Sequence, residues 1–374
     1  MNPKVSSIAL VHHWLVGMRG GEKVLEQFGE LFSHAPIFTL VADEKNISSS
    51  LRAHEIKASF LQAIPQRERY YRHMLPLYPA ALRAMKLPKE TSLILSSDAS
   101  IVKGIRIPDS ATHVCYCHSP ARYLWEMEET YLKQTAHLGA IGKWVFRNIV
   151  PYARQFDYEA AQKVSHFIAN SKFVQQRIQK YYGRESEVIY PPVDVEKFKW
   201  GKKSEDFYLI VSQLVSYKRV DIAVEAFNRL GKKLVIIGDG AEKERLMQMA
   251  KPNVQFLGKQ PDTSVIDHFE RCRAFIYPQV EDFGITAVEA QAAGKPVIAL
   301  SQGGALETLL DGKTGIFFHE QNAEALIGAI QVFENKINEF NSLACRQNAE
   351  KFSTARFREE IKHFFQKKEL SLGW

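Results

Sequence analysis

Cysteine is scarce. The 374-residue chain has four, at positions 115, 117, 272 and 345. They are too few and too scattered for a disulfide framework, which suits a reducing, cytoplasmic compartment. No apolar run approaches the roughly 20 residues that span a bilayer. The opening MNPKVSSIALVHHW carries one lysine and a short apolar stretch, and reads as a first buried strand rather than a signal peptide. No short-period repeat or low-complexity tract appears. There is no Gly-x4-Gly-Lys-Ser/Thr loop. LVIIGDGAEKERL reads Gly238-x-Gly240-x-x-Lys243 and lacks the third glycine of a dinucleotide fingerprint, which argues against hydride transfer. No Asp-x-Asp motif follows a strand. Cys115-x-Cys117-His118 has no second ligand pair to complete a zinc site. Alternation in HVCYCH puts both cysteines on one strand face as small buried hydrophobes, with His118 arriving where the strand ends.

What is present is ordinary globular composition, 45% hydrophobic and 24% charged. Single cores stop growing near roughly 250–300 residues, so two domains are expected. Charge is lopsided. Residues 1–190 hold 24 Lys+Arg against 17 Asp+Glu, whereas the remainder holds 25 of each. The excess is either a solvated basic surface or a means of attracting an anionic partner. It is densest in residues 67–106, with eight cations against three anions and the stretch RERYYRHMLPLYPAALRAMKL. In one view Leu75, Leu77 and Leu82 face the core and the arginines are solvated. In the other this basic, aromatic segment meets an anionic lipid surface, broken by Pro76 and Pro79. Nucleic acid is the poorer alternative, since no recognised binding motif accompanies the charge.

Short β-rich runs alternate with helical stretches. The first half has IALVHHW, PIFTLV, LILSS, HVCYC and HFIANS; the second has FYLIVSQ, KLVIIGDG, VQFLG, AFIYP, PVIAL and TGIFF. This predicts an α/β chain of two doubly wound parallel sheets. Tyr190-Pro191-Pro192 marks the break. The expected domains are 1–188, 189–351 and a C-terminal helix in 352–374 packing back on the first.

Four stretches carry candidate chemistry. In YPQVEDFGITAVEAQAAGKPVIA a strand gives way to a loop with Glu281 and Asp282, then Gly284, then a helix starting near Ile285 and carrying Glu289. Free amides at that helix start suit an anion, and Glu289 and Glu281 could accept hydrogen bonds from sugar hydroxyls. In LIVSQLVSYKRVDIAVEAF, Lys218 and Arg219 follow a strand, either to meet a diphosphate or to cap a helix. Gly20-Gly21 opens the first helix as a phosphate approach or a tight turn. His118 ends its strand at the predicted cleft.

Taken together, GGEK, CYCHSPARY, FIANS, VIYPPVDVEKF, LVSYKRVDIAVEAF, IGDG, Glu281-x7-Glu289 with AGKPVIA, and GGALETLLDGKTG resemble glycosyltransferase family four. The likeness is strongest to bacterial mannosyltransferase-like enzymes of surface polysaccharide and O-antigen synthesis. It implies the GT-B fold, two Rossmann-like domains facing a cleft, and retaining, metal-independent transfer of a hexose from a nucleotide diphosphate sugar. GDP-mannose is the leading donor, and a glycan or polyprenyl-diphosphate-linked saccharide the acceptor. It implies a cytoplasmic protein, peripheral at the inner membrane face, with no cofactor. His118, Lys218 and Glu281 would be catalytic. Gln213, Lys218, Arg219, Gly238, Lys259, Phe283, Gly284, Ile285 and Glu289 would bind the donor nucleotide, and Gly20 and Gly21 would serve the phosphate and acceptor side. Gln213 stands where the family usually has arginine, so charge there is lost and Arg219 is a candidate substitute. A non-catalytic sugar-nucleotide binder and a sugar-nucleotide epimerase remain as alternatives.

Overall fold

The computed structural model describes residues 7–126 and 139–370. The first six residues, residues 127–138, and the last four of the expected C-terminal segment lie outside the described residues. The chain forms two compact units, Met1–Tyr190 with Arg358–Trp374, and Pro191–Phe357.

The first unit holds β1 (Ser7–Leu15), β2 (Ile37–Ala42), β3 (Ile56–Ala58), β4 (Thr91–Asp98), β5 (Thr112–Cys117), β6 (His166–Ala169) and β7 (Ser186–Val188). They lie in the order β3-β2-β1-β4-β5-β6-β7. The second unit holds β8 (Tyr208–Val211), β9 (Leu234–Ile237), β10 (Val254–Gly258), β11 (Ala274–Tyr277), β12 (Val297–Leu300) and β13 (Gly315–Phe318), in the order β10-β9-β8-β11-β12-β13. Every pairing of these strands is parallel. Parallel strands need crossovers, and the crossover helices cover both sheet faces. That is why IFTLVA in β2 and LVII in β9 are buried at every position.

The apolar runs picked out in the sequence all lie on strands. The structure adds β3 and β7, three half-buried residues each at the two edges of the first sheet. Both are short and only half-buried, and carry no apolar run to recognise. Helix Gly20–Leu31 buries Val24, Leu25 and Phe28 completely. Helices Val220–Leu230 and Ala323–Asn335 put Phe227, Leu326, Ile330 and Phe333 into the second core. Helix Thr354–Lys367 joins the first unit from Arg358 onward. Arg358 Nε donates to Gln27 Oε1 at 2.7 Å, and Phe365 meets Phe32 edge-on.

Pro76 sits inside a tight 3-10 stretch, Tyr71–Leu77, between short helices Arg67–Tyr70 and Tyr78–Ala84. The basic segment is therefore broken. Leu75 and Leu82 are buried, but Leu77 is 43% exposed, so only two of the three leucines face the core.

Both sheets reverse their winding once, between β1 and β4 and between β8 and β11. Helices leave those neighbouring strands on opposite sides, opening a crevice at the strands' carboxyl ends. Gly20 and Gly21 lie at the first of these points, and Lys218 and Glu281 at the second.

Candidate active site

In the second unit, β8 runs into the loop that carries Gln213 and Lys218, and β11 into the loop that carries Glu281 and Phe283. Lys218 Nζ and a Glu281 carboxylate oxygen form an ion pair across the switch point. Both side chains are 17% exposed, which leaves them accessible to a ligand. Lys218 has three N–H donors, so it can keep Glu281 and still take a phosphate oxygen. Gly284, with φ +98°, turns the chain into helix Ile285–Ala292. A Cβ at Gly284 would come 2.6 Å from the Tyr277 hydroxyl. The glycine is therefore required both by the backbone and by the strand end beneath it. Phe283 is buried and packs on Phe352, with ring centroids 5.3 Å apart. Glu289 lies one turn into the helix, half-buried.

Three other sequence candidates fall differently. Arg219 has its guanidinium on the Asp221 carboxylate at 3.2 Å and on Gln321 Oε1 at 3.3 Å. These partners hold it at the start of helix Val220–Leu230. Lys259 is exposed just past β10, the outer strand of this sheet. Gly238 works through backbone packing: a Cβ there would come 1.8 Å from the Ser212 carbonyl oxygen, and one on Gly240 2.2 Å from that of Leu214. The two glycines lock the loop after β9 onto the loop after β8. Gln213 is exposed on that same loop.

In the first unit, Gly20 opens helix Gly20–Leu31 just beyond β1, and Gly21 lies over three histidines. A Cβ on Gly21 would be 3.4 Å from His12 Cε1, 3.5 Å from His118 Nε2 and 3.6 Å from His13 Cε1. Ser97, at the end of β4, ties the group together. Its Oγ lies 3.1 Å from His12 Nδ1 and 2.7 Å from His118 Nε2. Burial and neighbouring His12 lower the His13 pKa to about 3, so that ring is neutral. Glu22 lies beside His12, Oε1 to Nε2 4.0 Å. Burial pushes the Glu22 carboxyl up, but its interaction with His12 outweighs that and pulls it down to about 2.

Cys115 and Cys117 are buried among Ala161, Val164, Phe167 and Ile178. Burial pushes the Cys115 thiol up to about 12 and raises Cys117 as well. Neutral thiols in an apolar cluster are packing groups. Among the described residues no three His, Cys, Asp or Glu side chains gather as metal ligands.

Several participants were missed in the sequence. His12, His13 and Ser97 sit at the ends of strands whose apolar character drew attention elsewhere. Gly303 and Gly304 lie beneath the Glu281 loop. Gly304 N donates to Glu281 O at 2.8 Å, and Cβ atoms there would come 2.5 Å from Glu281 O and 2.4 Å from Phe283 O. These two glycines open the GGALETLLDGKTG motif noted in the sequence, where no role was assigned to either.

The model of the family described as glycosyl transferases group 1 matches residues 193–352. An uncharacterised glycosyltransferase of Methanocaldococcus jannaschii is 28% identical over 178 residues, 46% of this chain and 50% of that protein. The GDP-mannose-dependent alpha-(1-6)-phosphatidylinositol monomannoside mannosyltransferase of Mycolicibacterium smegmatis is 28% identical over 192 residues, 43% of this chain and 50% of that protein. The chain thus spans about half the length of these curated relatives. Among solved structures, Anabaena HepE in complex with UDP superposes with a TM-score of 0.70 at 16% identity, covering 96% of this chain and 100% of that one. Residues 193–352 match the family of glycosyl transferases group 1, and the chain that carries them has the two-sheet GT-B fold.

Proposed function

We propose that the chain is a retaining glycosyltransferase that moves a hexose from a nucleotide diphosphate sugar to a hydroxyl of a glycan or lipid-linked saccharide. The observation that carries this is the Lys218–Glu281 pair at the β8/β11 switch point, inside the matched domain and beside the amides of helix Ile285–Ala292. Negative charge grows on the diphosphate as the sugar leaves. A fixed ammonium and helix-terminal amides stabilise that charge without reorganising. Glu281 accepts hydrogen bonds from the sugar's hydroxyls, and Glu289 from the nucleotide's ribose. Mannose from GDP-mannose is the leading donor, in keeping with the name of the Mycolicibacterium relative. HepE is seen with UDP, so the donor assay runs both bases.

Transfer needs no divalent metal in this account, because Lys218 and the helix start supply the positive field. The test is product formation from GDP-mannose or a UDP-hexose with a membrane-extracted acceptor, with and without EDTA. The expected result is an acceptor-dependent glycoside at unchanged rate in EDTA. Activity abolished by EDTA and restored by Mn²⁺ or Mg²⁺ contradicts the metal-free mechanism. A new sugar nucleotide formed without acceptor marks an epimerase, and donor binding without any product marks a binder.

The acceptor is lipid-linked and the protein peripheral to the inner membrane face. Exposed Phe60, Tyr70 and Leu77 stand on the first unit among exposed Arg69, Arg72, Arg83 and Lys86. No helix among the described residues is long and apolar enough to cross a membrane. An open groove of about 350 Å³ lined by Phe38, Phe60 and Met85, with Lys57 and Lys86 at its wall, suits an amphiphilic anion. Sedimentation with anionic vesicles should deplete the protein at low salt. High salt, or Arg69 and Arg72 changed to glutamate, should release it. Equal recovery with anionic and neutral vesicles at low salt points to a soluble acceptor.

A further inference from the structure

We propose that Gln321 is a positioning residue that ties the Lys218 loop to the Glu281 loop through Arg219, so that both charged groups keep their places when a ligand draws Lys218 away from Glu281. Gln321 follows β13, the outer strand of the second sheet, two places from β11. Its side chain nevertheless reaches the β8/β11 switch point. Oε1 accepts from Arg219 Nη1 at 3.3 Å, and Nε2 donates to the Pro278 carbonyl oxygen at 3.0 Å. The orientation of the amide is forced, since a guanidinium only donates and a carbonyl oxygen only accepts. Each half of the amide thus serves a different loop. Arg219 directly follows Lys218, and Pro278 stands three residues before Glu281.

Arg219 holds an uncommon backbone. With φ +51° and ψ +36°, it is one of three non-glycine residues at positive φ among the described residues. A side chain disfavours that conformation, which persists only where the surroundings impose it. Here the guanidinium supplies the anchors. Nε and Nη2 grip the two Asp221 carboxylate oxygens at 3.2 and 3.4 Å, and Nη1 takes Gln321. Capping does not account for the turn, because no side-chain bond from Arg219 caps helix Val220–Leu230. The left-handed turn comes straight after Lys218 and sets the direction in which that side chain leaves the loop. The Glu281 loop is held at two carbonyls, Pro278 O by Gln321 and Glu281 O by Gly304 N at 2.8 Å.

The Lys218–Glu281 ion pair spans the same two loops, but a diphosphate competes for its ammonium. The Gln321 bridge uses neither charged group, so it survives that exchange. It keeps ammonium and carboxylate at a fixed spacing while Lys218 turns to the leaving diphosphate. Spacing matters most in the transition state, where a misplacement of about 1 Å can cost about 10²-fold. That use rests on the glycosyltransferase reading; the bridge between the loops does not.

The test pairs hydrogen exchange, read by mass spectrometry on the full chain, with steady-state kinetics. Gln321→Leu removes both bonds and should speed amide exchange in residues 213–219 and 279–284 together. Gln321→Glu keeps an acceptor for Arg219 but has no donor for Pro278, so it should loosen 279–284 with much less change in 213–219. Arg219→Gly accepts the left-handed turn without the guanidinium. In that background Gln321→Leu should loosen 213–219 no further. Unchanged exchange in both segments of Gln321→Leu overturns the proposal, and so does loosening confined to the loop around residue 321. Should Gln321→Leu fail to fold, Gln321→Glu decides, and wild-type exchange at 279–284 in that variant counts against the bridge. Well below its melting point, Gln321→Leu should lose about 10- to 10²-fold in kcat with donor KM near that of the wild type, the split of a group that acts through the transition state. A raised KM at unchanged kcat overturns the positioning role. A wild type that transfers no sugar removes the transferase reading instead, and the exchange data then judge the bridge by themselves.

Discussion

Replacing Lys218 with alanine should lower kcat for glycosyl transfer by about 10²–10³-fold while the chain remains folded. That is the scale of losing one preorganised electrostatic contact to the charge that develops in the transition state, roughly 3 kcal/mol. Glu281→Gln should cost a similar factor. The amide keeps the shape but loses the acceptor strength of a carboxylate and its hold on Lys218. Stability should hardly move. The pair is partly solvated, and ion pairs near water typically contribute no more than about 1 kcal/mol. Steady-state kinetics and thermal unfolding on the same preparations separate the two effects. Near-normal turnover in Glu281→Gln would remove the site from the β8/β11 switch point. A large loss of melting temperature would instead make the pair a structural strut.

Lys103→Met should be the most damaging change to stability, by roughly 3–5 kcal/mol, because it leaves buried carboxylates without their cation. Lys103 Nζ bridges Asp98 Oδ2 at 3.1 Å and the Asp157 carboxylate, and all three side chains are at most 1% exposed. Tyr182 and Trp125 donate to the other Asp157 oxygen at 2.7 and 2.8 Å. The sign of the pH dependence follows. Burial alone would raise the Asp98 pKa, but Lys103 and backbone N–H donors outweigh it, so the net shift is downward. Asp98 thus contributes stability above the ordinary carboxylate pKa, and loses it as pH falls through the lowered folded value. Without Lys103 the shift turns upward, and the variant loses stability as pH rises through the carboxylate range. The gap between wild type and variant should therefore widen from about pH 4 to 7. Urea unfolding across that range measures it. A gap that stays constant with pH would mean the loss comes from packing rather than charge.

This buried triad shows where the sequence stops being informative. Asp98, Lys103 and Asp157 are ordinary charged residues in a line of text, and Lys103 and Asp157 are 54 positions apart. Nothing in local periodicity says that the fold brings them together in the core. The strands were legible for the opposite reason. A parallel sheet covered on both faces demands apolar runs, and LVII or AFIY can hardly serve otherwise. β3 escapes because its three residues are only half-buried and carry no such run.

The site divides in the same way. Glu281, Gly284 and Glu289 could be read from a strand, a loop and a helix start, since helix-terminal chemistry is local. The contact between Lys218 and Glu281 spans 63 residues and needed the sheet order. Ser97 had no signal at all: a serine at a strand end is unremarkable until two imidazoles converge on it. The resemblance implies a nucleotide contact at Gly238, and in the structure its backbone also fits against Ser212. A glycine that admits a ligand and one that admits another loop look alike in sequence.

The central claim is that a nucleoside diphosphate binds beside Lys218. It is tested most directly by thermal unfolding of wild type and Lys218→Ala with GDP, UDP, ADP and dTDP. A ligand that binds only the folded chain adds about 2.7 kcal/mol of stability at one hundred times its Kd. The expected result is a concentration-dependent rise in Tm with one of the four, much weakened in Lys218→Ala. No rise with any of them, or an equal rise in both proteins, would contradict the account.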